Sequence, residues 1–123
     1  MATRALPVAQ DRRPGERCCD LDLPPAISTA EAERTTADLE ILANPVRMQL
    51  LDVLVRKEGM VCVCDLESAV PVKQPTVSHH LRLLREAGLI HSEKRGLYAY
   101  YHVDRPALDQ LRARISTFLA SLG

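Results

Sequence analysis

The stretch Met60–Leu89 limits what this chain can fold into more than any other part of the sequence. Its second half starts at Pro75, whose missing N–H costs nothing in the first turn of a helix, and reaches Gly88, a residue type that commonly follows a helix end. A shorter helix over about Val63–Val70 is expected before it, because Pro71 cannot continue a helix. Two short helices joined by a tight turn form a helix-turn-helix, whose second helix enters the major groove of DNA.

The second of these helices has an apolar side and a polar side. Val77, Leu81 and Leu84 fall at i, i+4 and i+7 and are expected to face the core. The residues off that stripe are of types that bond base edges and phosphates, which favours a DNA-reading surface over an ordinary solvated helix face. The candidate DNA-binding residues on this helix are Gln74, Thr76, Ser78, His79 and Arg82. His80 is expected to pack or to form a hydrogen bond rather than to bind a metal.

A β-hairpin is expected after the helix-turn-helix. The segments Leu89–Glu93 and Leu97–Val103 flank a short Gly-containing turn at residues 94–96. Lys94 and Arg95 at the tip suit a wing that contacts DNA phosphates, and a merely solvated tip is the alternative. Alternate residues from Leu97 to Val103 are expected to form one buried face.

Two helices are expected between the N-terminal segment and the helix-turn-helix. Ser28 and Glu31 match a capping box, so a helix should follow to about residue 43, with Leu39 and other apolar side chains inward. Asn44 is a good cap for the next helix, which has Pro45 in its first turn and should end near residue 57. Together with the hairpin, these elements predict a mainly α fold with little β structure.

The last helix carries a long apolar stripe. Asp104 is expected to cap it, with Pro106 in the first turn. Apolar residues then recur at spacings of three and four: Leu108, Leu111, Ile115, Phe118 and Leu122. Such a stripe must pack on something. A second copy of the chain is the natural partner, because DNA half-sites are usually read by twofold dimers, and folding back on the chain's own core is the alternative.

Length, composition and charge further restrict the possible fold and function. A chain of 123 residues that is 46% apolar and lacks Trp is one domain with an aliphatic core, which suits packed helices. The net charge is zero, yet residues 71–105 hold six basic residues against three acidic ones, as a DNA-binding face requires. No apolar run is long enough for a membrane span and no signal sequence is recognised, so we expect a cytoplasmic protein with reduced thiols.

The N-terminal segment differs from the rest of the chain. Residues 1–27 are rich in proline and lack periodicity, so we expect a flexible arm, followed by a DNA-binding and dimerisation domain over residues 28–123. The arm carries Cys18 and Cys19. A pair of neighbouring thiols in an exposed tail is prone to oxidation, which suggests that a soft ion holds one or both of them.

Cys62 and Cys64 lie at the start of the first helix of the helix-turn-helix. In a regular helix this spacing points the two side chains to opposite faces, so they can share an ion only if Cys62 is still extended. Two thiolates are too few for a tight site, and Cys18 or Cys19 is the obvious source of a third, since the chain from Cys19 to the first helix reaches roughly 30 Å. Three thiolates suit As(III) or Sb(III), whereas four suit Cd(II), Pb(II) or Zn(II). Inert buried cysteines and a disulfide switch remain alternatives.

Four stretches resemble the ArsR/SmtB family of metal-sensing winged helix-turn-helix repressors: Leu42–Arg47, Val61–Leu66, Gln74–Leu81 and Leu84–Leu89. The resemblance implies a homodimer built on the first and last helices, which binds operator DNA without metal and releases it when metal binds. The Cys-Val-Cys-Asp-Leu box looks like the inducer box of the family's arsenic, antimony, cadmium and lead sensors. This likeness implies metal-binding roles for Cys62 and Cys64.

The chain departs from the family's pattern at two places. Glu67 stands where arsenic sensors that bind within this box have a third cysteine, so the missing thiolate must come from elsewhere, as from the N-terminal pair. No histidine follows His102, so the family's zinc site on the last helix is expected to be absent.

The resulting hypothesis is a repressor that responds to As(III) or Sb(III). The alternatives are a Cd(II)/Pb(II) repressor with a four-cysteine site and a thiol redox-switched repressor. An enzyme is not expected, because no catalytic constellation can be assembled.

Overall fold

The computed structural model describes Gly15 and residues 23–123. Over these residues the chain forms five helices and three strands. In chain order they are α1 (Thr29–Leu42), α2 (Pro45–Arg56), β1 (Val61–Cys62), α3 (Val63–Ala69), α4 (Gln74–Glu86), β2 (Ile90–Arg95), β3 (Tyr98–Val103) and α5 (Arg105–Ser121). The mainly α fold with a small β-hairpin, predicted from the sequence, is confirmed. None of the helices in the described part of the chain is long and apolar enough to cross a membrane.

The helix starts are those that the capping residues predict. At α1 the Ser28 hydroxyl accepts from the Glu31 N–H and the Glu31 carboxylate accepts from the Ser28 N–H, both at 3.1 Å. The Asn44 Oδ1 accepts from two N–H groups in the first turn of α2, and the Asp104 Oδ1 accepts from the first turn of α5. Each cap satisfies donors that have no partner within the helix, which is why these short polar residues locate the boundaries.

The end of α4 follows from Gly88. This residue has φ +79°, a conformation that glycine adopts without a Cβ penalty. Its N–H donates to the Arg85 carbonyl at 2.9 Å, and the next N–H, of Leu89, donates to the Leu84 carbonyl at 3.1 Å. These two bonds form a Schellman motif, which ends the helix and turns the chain into β2.

The three strands form one antiparallel sheet in the order β1-β3-β2. The hairpin was predicted, but its turn consists of Gly96 and Leu97, and Leu97 is 91% exposed. The expected burial of Leu97 is therefore wrong, because the pair Arg95 and Tyr98 closes the hairpin and leaves Leu97 at the tip. The short strand β1 was not expected from the sequence. It pairs with β3 and places Cys62 opposite Tyr100.

The core lies between α2, α3, α4 and the sheet. Val77, Leu81 and Leu84 of α4 are fully buried, which confirms the predicted apolar side of that helix. The other buried apolar side chains are Leu50, Leu51, Leu54, Val61, Leu66, Val70, Leu89, Ile90 and Leu111. Burying this stripe sets the rotation of α4 about its own axis, and with it the direction of the polar side.

Helix α1 is rotated differently from the expectation. Leu39 is 44% exposed, whereas Thr35 and Asp38 are buried. Asp38 accepts two hydrogen bonds from the Arg114 guanidinium of α5, from Nε at 2.6 Å and Nη2 at 2.8 Å. The inward position predicted for Leu39 is wrong, because this ion pair, and not apolar spacing, turns α1 towards α5.

Candidate DNA interface and thiol site

The polar side of α4 is open to solvent. Burial of the opposite stripe leaves all five candidate DNA-binding side chains of this helix exposed: Gln74, Thr76, Ser78, His79 and Arg82. Arg82 lies along the helix, with Nη2 at 3.2 Å from the His79 Nδ1 and Nε at 3.9 Å from the Glu86 carboxylate. The helix therefore presents a cation beside hydroxyl, amide and imidazole groups, which is the set of groups that contact phosphates and base edges.

Lys94 and Arg95 are exposed at the end of β2. The Arg95 guanidinium lies 5.8 Å from the centre of the Tyr100 ring and 3.5 Å from the Glu93 carboxylate, so two neighbours orient it. In the first half of β2, the Ser92 hydroxyl accepts a hydrogen bond from the Arg85 Nη1 of α4 at 3.3 Å. This bond connects the helix to the hairpin, so their exposed basic groups keep a defined relation.

The buried side of α4 is tied to α2 through a pair that the sequence did not reveal. His80 is 8% exposed, and its Nδ1 lies 3.2 Å from the Arg47 Nη1. The expectation that His80 packs or forms a hydrogen bond is confirmed. Burial lowers the pKa of His80, and the positive charge of Arg47 lowers it further. A neutral imidazole with an unprotonated Nδ1 accepts this bond.

The two thiols of the helix-turn-helix meet at the start of α3. Cys62 ends β1 and is also the N-cap of α3, with extended backbone (φ −65°, ψ 142°). The condition for the two side chains to converge is therefore fulfilled. The Cys64 thiol donates to the Cys62 Sγ at 2.8 Å, and Cys62 is half-buried while Cys64 is exposed. A strand that passes directly into a helix thus brings the sulfur atoms of an i, i+2 pair next to each other.

The hydrogen bond between the thiols raises the pKa of Cys64, and partial desolvation and the nearby Asp65 carboxylate raise it too. A thiol binds a metal as the thiolate. An ion that binds such a thiol must displace its proton. Soft ions such as As(III), Sb(III), Cd(II) and Pb(II) meet this requirement, and hard ions with oxygen ligands do not.

The pair is not a complete metal site by itself. Within residues 23–123, no group of three or more His, Cys, Asp or Glu side chains is arranged to hold a metal ion. The predicted ligands Cys18 and Cys19 lie outside the described residues. The structure thus brings together two of the four candidate cysteines.

Comparisons with known proteins agree with the helix-turn-helix. Residues 44–92, from the cap of α2 into β2, match the family described as "Bacterial regulatory protein, arsR family". A putative arsenical resistance operon repressor, ArsR2, of Halobacterium salinarum is 38% identical over 89 residues, which cover 70% of this chain and 71% of that protein. A cadmium resistance regulatory protein CadC homolog of Staphylococcus aureus is 37% identical over 57% of either chain. Alignments with other curated relatives span 54% to 79% of their lengths.

Solved structures extend the likeness beyond the helix-turn-helix. The crystal structure of a possible transcriptional regulator for arsenical resistance matches with a TM-score of 0.60 and 38% identity, over 66% of this chain and 82% of that one. The AntR antimony-specific transcriptional repressor also matches with a TM-score of 0.60, at 29% identity, over 82% of this chain and 91% of that one. The five helices and the small antiparallel sheet are therefore a winged helix-turn-helix.

Proposed function

Since the chain belongs to the ArsR family of bacterial regulatory proteins, which are transcriptional regulators and not enzymes, we propose that it is a repressor released from its operator by As(III) or Sb(III). The observation that carries the proposal is the convergence of the Cys62 and Cys64 sulfurs, 2.8 Å apart, at the start of α3. Helix α3 is the first helix of the unit whose second helix, α4, presents the polar side. An ion bound at these sulfurs acts directly on the part of the protein that reads DNA.

The exposed side of α4 supports binding to double-stranded operator DNA. Ser78, His79 and Arg82 lie on the side opposite the buried stripe, where they can enter the major groove while the stripe remains packed. Lys94 and Arg95 of the hairpin supply phosphate contacts beside the groove. We assign Gln74 and Thr76, at the N-terminal end of α4, to the same interface.

The N-terminal arm completes the proposed ion site. Cys18 or Cys19 supplies the third thiolate for As(III) or Sb(III), with Cys62 and Cys64 as the other two. The proposal treats residues 1–27 as an arm that docks on binding the ion, and residues 28–123 as the DNA-binding and dimerisation domain.

A homodimer is proposed as the operator-binding form. Helices α1 and α5 pack against each other, and their surface exposes Leu39 by 44%, Leu119 by 59% and Leu122 by 67%. These apolar side chains are available for a second copy, while Leu111 of the same stripe is buried in the chain's own core. A twofold dimer would present two α4 helices to successive half-sites.

A Cd(II)- or Pb(II)-responsive repressor is the second candidate, and the likeness to the cadmium regulatory protein favours it. It differs in requiring both Cys18 and Cys19, so that four thiolates surround the ion. The arsenic relatives and the antimony-specific structure support the three-thiolate ion as the first choice.

X-ray absorption on the reduced full chain, loaded in turn with As(III) and Cd(II), tests the proposal. We expect As(III) surrounded by sulfur alone, with a shell that is lost in Cys62→Ser and kept in Ala69→Ser, a control change at an exposed position of α3. Single Cys18→Ser and Cys19→Ser variants show whether one or both arm thiols are ligands. In parallel, As(III) should release a duplex selected by this protein from a random-sequence DNA pool, which requires a coupling of only ~1–3 kcal/mol.

Three results would change the conclusion. An unchanged DNA affinity under As(III) would contradict the proposed inducer. A stable four-sulfur cadmium shell with weak arsenic uptake would favour the second candidate. A DNA response to peroxide that persists in the presence of a chelator would favour a thiol redox switch.

A further inference from the structure

Arg47 of α2 connects three helices through a single guanidinium group. Its Nε donates to the Ile41 carbonyl at 2.7 Å and its Nη2 donates to the Glu40 carbonyl at 3.1 Å, both at the C-terminal end of α1. Its third nitrogen, Nη1, lies 3.2 Å from the Nδ1 of His80 on α4. No other side-chain group in the described part of the chain bonds α1 and α4 together through one residue.

The two carbonyls that Arg47 binds lie in the last turn of α1, where carbonyls lack the donors that the helix interior provides four residues further on. The Glu40 carbonyl accepts one other bond there, from the N–H of the C-cap residue Ala43 at 3.2 Å. The last turn of α1 contains no basic residue of its own. A cation at this end is favourable because the aligned peptide dipoles leave it partly negative. Arg47 therefore supplies from the next helix the charge that α1 lacks, and this holds its guanidinium in a fixed place.

His80 is the other end of the connection. It follows His79, which belongs to the exposed side of α4, but its own ring is buried beside the stripe of Val77, Leu81 and Leu84. The bond to Arg47 requires an unprotonated Nδ1, because a protonated ring would present an N–H and a positive charge to the guanidinium. The charged or titratable groups that act on the His80 pKa are Arg47 from α2 and His79 from α4, and both lower it, after burial.

We propose that Arg47 and His80 are positioning residues for operator binding, because their hydrogen bond sets the placement of α4 relative to the end of α1. The proposal rests on the DNA-binding function proposed above. Neither residue needs to touch DNA, since both act through the orientation of the exposed side chains of α4. Asp38, two residues before Glu40 on α1, binds Arg114 of α5, so a second polar contact joins α1 to the last helix.

The test compares variants that keep or remove one part of the connection. His80→Asn keeps an acceptor close to the Nδ1 position, whereas His80→Phe keeps a flat ring and loses the acceptor. Arg47→Lys keeps the charge but not the planar group of donors. Arg56→Lys is the matched control, because Arg56 lies on the same helix and is exposed, with Asp52 as its partner.

Affinity is measured by fluorescence anisotropy with the full chain, at fixed salt, on a duplex that the native protein selects from a random-sequence pool. We expect His80→Phe and Arg47→Lys each to weaken binding by at least about 5-fold, the lower end of usual coupling between sites. Their combination should weaken binding no more than Arg47→Lys alone, because that variant already lacks the bond that His80→Phe removes. His80→Asn and Arg56→Lys should stay within about 2-fold of native, a change too small to indicate coupling. Thermal unfolding establishes that each variant is folded at the assay temperature.

The pH profile separates positioning from general loss of structure. Protonation of His80 breaks the connection, so native affinity should fall relative to His80→Asn as the pH decreases from about 8 to about 5. His79 is present in both proteins. A ratio that stays constant over this range, or native-like binding by His80→Phe, would overturn the proposal alone. If the native protein selects no duplex, the DNA-binding function falls and this proposal falls with it.

Discussion

At the scale of single residues, polar side chains decide how the terminal helices meet. Asp38 is buried on α1, and its carboxylate receives both donors of the Arg114 guanidinium in a fork-like arrangement. The pair raises the pKa of Arg114, in the direction expected for a cation stabilised by a carboxylate. A charge at a buried position is tolerated only with such a partner, so this pair selects the face of α1 that packs on α5.

Asp38→Ala should lower the free energy of unfolding by about 1 to 2 kcal/mol, because it removes two charge-assisted hydrogen bonds. A larger loss is not expected, since the Arg114 side chain is partly exposed and water screens the ion pair. Urea unfolding at fixed protein concentration measures the change. Asp109→Ala is the control, since its ion pair with Arg112 is exposed on the same helix and should contribute less than about 0.5 kcal/mol. Equal effects of the two substitutions would refute the structural role of Asp38.

Asp104 combines two tasks at the start of α5. Its Oδ1 accepts from the Ala107 N–H at 3.0 Å, and its Oδ2 lies 2.7 Å from the His91 Nε2 of β2. These contacts, first the backbone bond and then His91, lower the pKa of Asp104. One carboxylate thus ties the last helix to the hairpin.

The lowered pKa of Asp104 predicts that this residue stabilises the fold less at acidic pH. The unfolded chain binds the proton more tightly than the folded chain, so the stabilisation by Asp104 is fully present above the unfolded pKa and is lost as the pH falls through the lower folded pKa. Asp104→Ala should therefore be less stable than the native chain at neutral pH, and this difference should shrink below about pH 4. Asp104→Asn, which keeps the cap oxygen, should lose less. A difference that does not change with pH would contradict this role.

At the scale of elements, α4 is defined by both its ends and its buried side. Its stripe is fully buried and its C-terminus is closed by the Schellman motif at Gly88. A Cβ at Gly88 would meet no atom within 4 Å, so any cost of a substitution comes from the positive φ and not from a clash. The end of α4, the helix proposed to read DNA, therefore depends on the backbone conformation of one glycine and not on the space around it.

Gly88→Ala should destabilise the fold by about 1 kcal/mol, the usual cost of a left-handed conformation for a residue with a Cβ. Gly88→Asn should cost less, because asparagine adopts this conformation more readily. Chemical denaturation of the two variants measures the difference. Equal stability of the alanine variant and the native chain would mean that the turn rearranges at no cost.

We expect the exposed basic residues of α4 and of the hairpin to contribute to DNA binding in different ways. Lys94→Ala should weaken binding to all duplexes and reduce the slope of log affinity against log salt by about 1, as for one lost phosphate contact. Arg82→Ala should also relax sequence preference, by about 1–3 kcal/mol at one position, if it reads a base edge. Arg112→Ala removes the same charge from α5 and should change neither quantity. Binding titrations over a range of salt concentrations distinguish the cases.

At the scale of the whole molecule, the apolar side chains that the core does not use lie on the terminal helices. Leu119 and Leu122 remain largely exposed near the end of α5 although Leu111 of that helix is buried. The aliphatic core is closed by α2, α3, α4 and the sheet without them. An interface between two copies is the role that we propose for this surface, in agreement with two α4 helices reading one operator.

Leu119→Glu should shift the chain from dimer to monomer by at least about 10-fold in dissociation constant, since burying an unpaired carboxylate opposes association. Met48→Glu is the matched control, because Met48 is exposed to a similar degree, 56%, but lies on α2. Analytical ultracentrifugation of both variants measures the mass. If the native chain is already a monomer at micromolar concentration, the proposed dimer is wrong.

Local patterns were sufficient to determine most of the secondary structure. Ser28, Asn44 and Asp104 located helix starts because a side-chain oxygen satisfies donors only a few residues away, and Gly88 located an end for a similar local reason. The spacing of Val77, Leu81 and Leu84 determined which side of α4 is buried. The helix-turn-helix and the hairpin that follows it could be predicted from these short-range signals.

Long-range contacts were decided by the tertiary structure alone. Asp38 meets Arg114 across 76 residues and Arg47 meets His80 across 33 residues, and nothing near each residue in the sequence indicates its partner. Strand β1 exists because β3 offers hydrogen bonds to two residues that are too few to form a strand alone. That strand holds Cys62 extended and brings its sulfur to Cys64. The sequence thus determined which groups are present, and packing decided which of them meet, because local propensities act over a few residues whereas buried pairs depend on the whole fold.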